Sequence, residues 1–109
     1  MRLIVSALAA SGLLALTPAA AHAKPVCGWY AIAFCSPDRA ATSKFLNKGW
    51  GALVETQKYQ GLKPGLWCAA SGPQPRASAL RDQAAAISNG VSASAYIKQA
   101  CTDSTNIGD

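Results

Sequence analysis

Few residues in this 109-residue chain are equipped for chemistry, and the cysteines stand out among them. Cys27, Cys35, Cys68 and Cys101 are separated by 8, 33 and 33 residues. No Cys-x-x-Cys pair occurs, so the spacing has neither the knuckle of a zinc site nor the close dithiol of a redox centre. No metal and no cofactor are expected. The single histidine, His22, lies in an apolar leader. Without it the remaining chain has no Ser-His or Cys-His nucleophile. The carboxylates, Asp38, Glu55, Asp82, Asp103 and Asp109, are scattered. A glycosidase-type pair would need Glu55 and a distant partner to converge. The chain is therefore expected not to be an enzyme. An even cysteine count in a small exported domain reads instead as two structural disulfides.

Export is read from the first residues. Met1-Arg2 gives a positive start, Leu3 to Leu16 is an apolar run, Thr17-Pro18 breaks it, and Ala21-His22-Ala23 has the small-x-small pattern of a cleavage site. The apolar run is shorter than the roughly 20 residues a spanning helix needs. Residues 1–23 are thus expected to be a bacterial-type signal peptide, 24–101 a single domain and 102–109 a polar, disordered tail. The product would be periplasmic or secreted, with no membrane insertion after cleavage. Beyond Arg2 the chain keeps nine Lys/Arg against five Asp/Glu. Such a basic exported chain is drawn to anionic wall polymers, lipid headgroups or an acidic partner.

The elements that must position these groups follow from periodicity. Trp29 to Cys35 alternates large and small residues, which predicts a strand with Tyr30, Ile32 and Phe34 on one face and Trp29, Ala31, Ala33 and Cys35 on the other. Ser36-Pro37-Asp38 opens a helix to about Asn47, closed by Gly49. Ala52 to Thr56 is a short strand, Gln57 to Gly65 a loop, and Leu66 to Ala70 a third strand. After the turn Ser71 to Pro75, an alanine-rich helix covers Arg76 to Ser88, with Ala77, Leu80, Ala84 and Ile87 as its apolar stripe. Ser94 to Lys98 is the fourth strand. The β-α-β-β-α-β order predicts an α+β, ferredoxin-like split βαβ fold. Its four antiparallel strands would stand in the order 4-1-3-2, with both helices on one face against Tyr30, Ile32 and Phe34.

The cysteines test that arrangement. The first strand is central, so Cys27 at its start lies beside Cys101 and Cys35 at its end beside Cys68. A Cys27–Cys35 bridge is disfavoured, because eight strand residues span about 26 Å and bridged Cα atoms lie within about 7 Å.

The stretch Pro64-Gly65-Leu66-Trp67-Cys68-Ala69-Ala70-Ser71-Gly72-Pro73 resembles the third strand and Gly-Pro turn of the SPOR (sporulation-related repeat) family. The likeness runs on to Ala95-Tyr96-Ile97-Lys98 as a closing strand and back to Trp29–Phe34 as an opening one. The resemblance implies non-catalytic binding of peptidoglycan, particularly of glycan strands stripped of stem peptides. Gln74 stands where the family usually has an aromatic, and Ala31 where it tends to present a polar residue. The candidate glycan contacts are Trp29, Ala31, Trp50, Lys58, Tyr59 and Lys63, with Trp67 assigned to the core. The expected partner is peptidoglycan or another envelope polymer, and the alternative is an envelope protein met by an interaction or inhibitor domain on the same scaffold. RNA-binding domains share the βαββαβ order, but export and disulfides exclude nucleic acid here.

Overall fold

The structure is a computed structural model, described here over residues 24–107; the segment 1–23, expected to be a signal peptide, and residues 108–109 lie outside the described residues. The elements run β1 (Pro25–Ser36), α1 (Arg39–Leu46), β2 (Ala52–Glu55), a 3₁₀ turn (Thr56–Lys58), β3 (Tyr59–Gln60), β4 (Trp67–Gln74), α2 (Arg76–Ser88), β5 (Tyr96–Asp103) and a second 3₁₀ turn (Ser104–Asn106). All strands form one antiparallel sheet in the order β2-β4-β1-β5-β3.

This sheet corrects the expected four-stranded ferredoxin-like fold. The fifth strand, β3, lies in the segment expected to be loop. It is joined to β2 by only three residues, yet it sits on the opposite edge of the sheet. Four inter-strand spacings in a flat sheet would separate the edges by about 19 Å. A 3₁₀ turn advances about 2 Å per residue, so the link cannot cross that distance. The sheet therefore curls into a half-barrel whose two edges meet at Thr56–Lys58.

The hollow of the curl holds Tyr30, Ile32, Val54, Cys68, Ala70 and Ala100, with Tyr59, Leu62 and Leu66 packed over them. Both helices lie on the other face, around Ala33, Ala86, Val91 and Ala95, with Phe45 and Trp50 at the margin. Tyr30 and Ile32 therefore point away from the helices, the reverse of the expectation. Phe34 leaves their face because the β1–β4 register slips between Ile32 and Phe34. A bulge of this kind turns two successive residues to one side, and Phe34 stacks on Phe45 of α1 at 5.0 Å. On α2 the buried residues are Ala79 and Ala86. The stripe Ala77, Leu80, Ala84 and Ile87 faces solvent, with Leu80 and Ile87 among the exposed large hydrophobics. Small residues on both partners, Ala31, Ala69, Ala79 and Ala86, let α2 and the sheet approach closely, and that contact outcompetes burial of the larger side chains.

Local signals account for the ends of α1. Asp38 caps it, accepting from the Ala40 N–H at 3.0 Å, and its own N–H donates to Ser36 Oγ. The cap thus falls two residues after the expected Ser36. Gly49 follows at φ 79°. The disulfides are Cys27–Cys101 and Cys35–Cys68, and each joins residues directly opposite in the ladder. Residues 102–106 form the end of β5 and the second 3₁₀ turn. Thr102 and Asp103 belong to β5, Thr102 is buried, and Ser104 N–H donates to the Lys24 carbonyl. The last strand therefore runs two residues past Cys101.

Candidate functional site

The open face of a flat sheet, where glycan was expected, does not exist in this fold. Tyr30 and Ile32 are each 1% exposed beneath the Tyr59–Leu66 segment. Ala31 is 0% exposed on the helix side, so it cannot touch a ligand. Concave surface lies instead along the seam where the sheet edges meet. Two adjoining clefts of about 380 and 480 Å³ share Lys58, Tyr59 and Asn106. One extends over Gln57, Gln60, Thr102, Asp103 and Pro25. The other reaches Glu55, Leu53, Trp67 and Arg39.

Each part of the seam has a local cause. Glu55 ends β2 and Lys58 ends the 3₁₀ turn, which brings Lys58 Nζ to 3.4 Å from Glu55 Oε1. Gln57 donates to the second carboxylate oxygen at 2.6 Å. Thr56 anchors the turn from inside: its hydroxyl donates to the Leu66 carbonyl and accepts from the Leu66 N–H. The second 3₁₀ turn closes the far wall. Thr102 donates to the Lys58 carbonyl, and Asn106 Nδ2 donates to Thr102 Oγ1 at 2.9 Å. At the α1 end Thr42 donates to the Trp67 carbonyl at 2.8 Å, and Arg39 lies over the Trp67 ring, 5.1 Å from its centroid. Tyr59 meets the buried Tyr30 ring edge-on at 5.6 Å. Burial raises the Tyr59 phenol above its ordinary value of 10.0, and it raises Tyr30 further still, with Tyr59 adding to the effect. Both stay neutral at physiological pH. The seam thus combines a cation-capped indole, a neutral phenol, amides and one ion-paired carboxylate. Planar apolar surface beside convergent polar groups is the make-up of a small-ligand site and suits the alternating faces and hydroxyls of a sugar.

Of the six expected contacts, only Lys58 and Tyr59 come together in the seam. Trp29 is half-buried in a separate cleft with Arg76. Trp50 packs against the helix-side cluster. Lys63 sits with Lys98 and Tyr96 over a small notch near the Cys35–Cys68 bridge. Sequence reasoning placed Trp67 in the core and missed Arg39, Gln57 and Asn106. The alternation of Trp67 with Cys68 gave the side of the sheet on which Trp67 lies. Its position at the first residue of β4, where packing runs out, was the unused signal. No cluster of three or more potential metal ligands occurs among the described residues.

No family model matches the chain, and no solved structure does. Among curated proteins it is similar to resuscitation-promoting factor RpfC of Mycobacterium tuberculosis (strain ATCC 35801 / TMC 107 / Erdman). Identity is 36% over 94 residues, covering 82% of this chain and 61% of the relative. The chain thus spans about three-fifths of the relative's length, and the matched share is large enough to reach into residues 1–23. This match overturns the expectation that the chain is not an enzyme. That expectation rested on the missing histidine, the scattered carboxylates and a likeness to non-catalytic binders, whereas the similarity found is to a resuscitation-promoting factor. A secreted or cell-envelope setting fits both the match and the two disulfides. No helix among the described residues is long and apolar enough to cross a membrane.

Proposed function

We propose that the chain is an exported cell-envelope domain that engages the glycan of peptidoglycan along the seam groove. The observation that carries this reading is the seam itself, where Trp67 under Arg39, Tyr59 and the Glu55–Lys58 pair line one continuous concavity. Similarity to a resuscitation-promoting factor supports the envelope setting, and the basic balance supports attraction to a wall carrying anionic groups. Glycan lying in the groove would meet Glu55, the carboxylate through which general acid–base work on a bound sugar would run. Pull-down of the mature domain with purified sacculi, before and after amidase removes stem peptides, tests the reading. Binding that rises after amidase treatment is expected, and absence of binding to either preparation defeats it.

A protein-interaction role is the second reading, favoured by the solvent-facing stripe Ala77, Leu80, Ala84 and Ile87 on α2. Crosslinking that recovered one specific envelope protein, lost on Leu80→Gln, together with no sacculus binding, would put it first.

A further inference from the structure

A third cleft lies away from the seam. It has a volume of about 530 Å³, and its walls include Trp29, Pro73, Gln74, Pro75 and Arg76. Its shape is fixed by backbone contacts rather than by chance side-chain placement. The β1–β4 register slips between Trp29 and Ala31, so Gly72 and Pro73 bulge out of β4 beside β1. Gly28 permits this, because a Cβ there would come within 2.8 Å of the Pro73 Cβ and 3.0 Å of the Gln74 nitrogen. Gly72 has φ 146°, and a Cβ there would meet the Trp29 carbonyl at 2.6 Å. The bulge is tied to α2 through Ser71, which donates to Asp82 and accepts from Gln74 Nε2.

Two groups face this rigid surround. The Trp29 indole is half-buried, and the Arg76 guanidinium lies over its ring, 5.4 Å from the centroid. Among the described residues Arg76 has no carboxylate partner; the one ion pair is Glu55–Lys58, in the seam. An indole covered by an exposed, uncompensated guanidinium, with prolines around it, matches a pyranose ring that carries a carboxylate. The sugar ring would take the place of the guanidinium on the indole, and the displaced fork of donors on Arg76 would pair with the carboxylate. A neutral sugar would use only half of the site.

We propose that the Trp29–Arg76 cleft is a second saccharide site, selective for a carboxylate-bearing amino sugar of the wall. This rests on the wall-glycan reading and adds a contact outside the seam. The test uses the indole N–H signals of Trp29, Trp50 and Trp67, assigned with single variants, during titration with N-acetylmuramic acid or with N-acetylglucosamine. The Trp29 signal is expected to shift with the acidic sugar at concentrations about tenfold below those the neutral sugar needs. Arg76→Gln should remove that preference, weakening the acidic sugar about tenfold. Arg81→Gln, on the same helix and bonded to Ser78, is expected to leave it intact. Equal response to both sugars, a preference that survives Arg76→Gln, or no Trp29 shift overturns the inference. Sacculus binding retained in Arg76→Gln alongside a failed titration would leave the seam reading standing and this one refuted.

Discussion

The two faces of the sheet are built by opposite means. On the helix side, alanine meets alanine: Ala31, Ala69, Ala79 and Ala86 are essentially unexposed, and the larger residues of α2 are turned outward. In the hollow, bulk fills space. Tyr30 and Ile32 are covered by Tyr59, Leu62 and Leu66 from a segment with almost no regular structure. The helix side gains from close approach of backbones, the hollow from volume. The contrast explains where concave surface ends up. A sheet filled on both sides has no free face, and the clefts of several hundred Å³ lie instead at the seam and beside the Gly72–Pro73 bulge.

Four changes would sharpen or break this contrast. The largest effect belongs to the staples. Chain-entropy arguments give about 4 kcal/mol for either disulfide, with Cys27–Cys101 closing the longer loop and contributing more by under about 1 kcal/mol. Denaturant unfolding of the two Cys→Ser pairs should show that order. Next, Ile32→Ala should cost about 2–5 kcal/mol, a cavity in the volume-filled face. Ala86→Leu should cost about 1–3 kcal/mol by prising α2 from the sheet. An unchanged melting curve for Ala86→Leu would show that the alanine contact is not tight. Leu80→Gln, on the outward stripe, should stay within about 0.5 kcal/mol.

Tyr30→Phe probes the hollow differently. The Tyr30 hydroxyl is buried beside the Tyr59 phenol without a hydrogen bond of ordinary geometry, so removing it should cost no stability and should raise it by up to about 1 kcal/mol. The tyrosine pKa values carry a further consequence. Tyr30 and Tyr59 are raised in the fold, so the unfolded chain loses its phenolic protons first as pH climbs past 10.0. Stability is fully present below that pH and declines above it. Tyr30→Phe should make the decline shallower.

Local pattern carries individual features of this fold but not its architecture, a curled five-stranded sheet in place of the expected ferredoxin-like one. Tyr30 and Ile32 do share a face, α2 does span 76–88, and antiparallel neighbours do bring each cysteine to its partner. Periodicity reveals which residues lie together, but not which side the helices take. Size alone puts the large residues against the helices, whereas close approach of alanines decides the matter. Phe34 changed sides through a one-residue bulge, which leaves no trace in composition. The two-residue strand β3 is too short for any period, yet its pairing with β5 curls the sheet. Missing it meant missing the seam. Lys58 and Tyr59 were singled out as loop residues with basic and aromatic character; their meeting with Trp67, Arg39 and Glu55 depends on that closure.

If the seam, rather than a sheet face, meets the wall, then Trp67 is an anchor of that contact. Co-sedimentation with amidase-treated sacculi, comparing Trp67→Ala with Trp50→Ala, tests it most directly. Both tryptophans are half-buried, but only Trp67 lines the groove. Trp67→Ala is expected to weaken binding about tenfold or more, as loss of an aromatic anchor does, with Trp50→Ala near wild type once its folding is verified. Full binding by a folded Trp67→Ala protein would contradict the account.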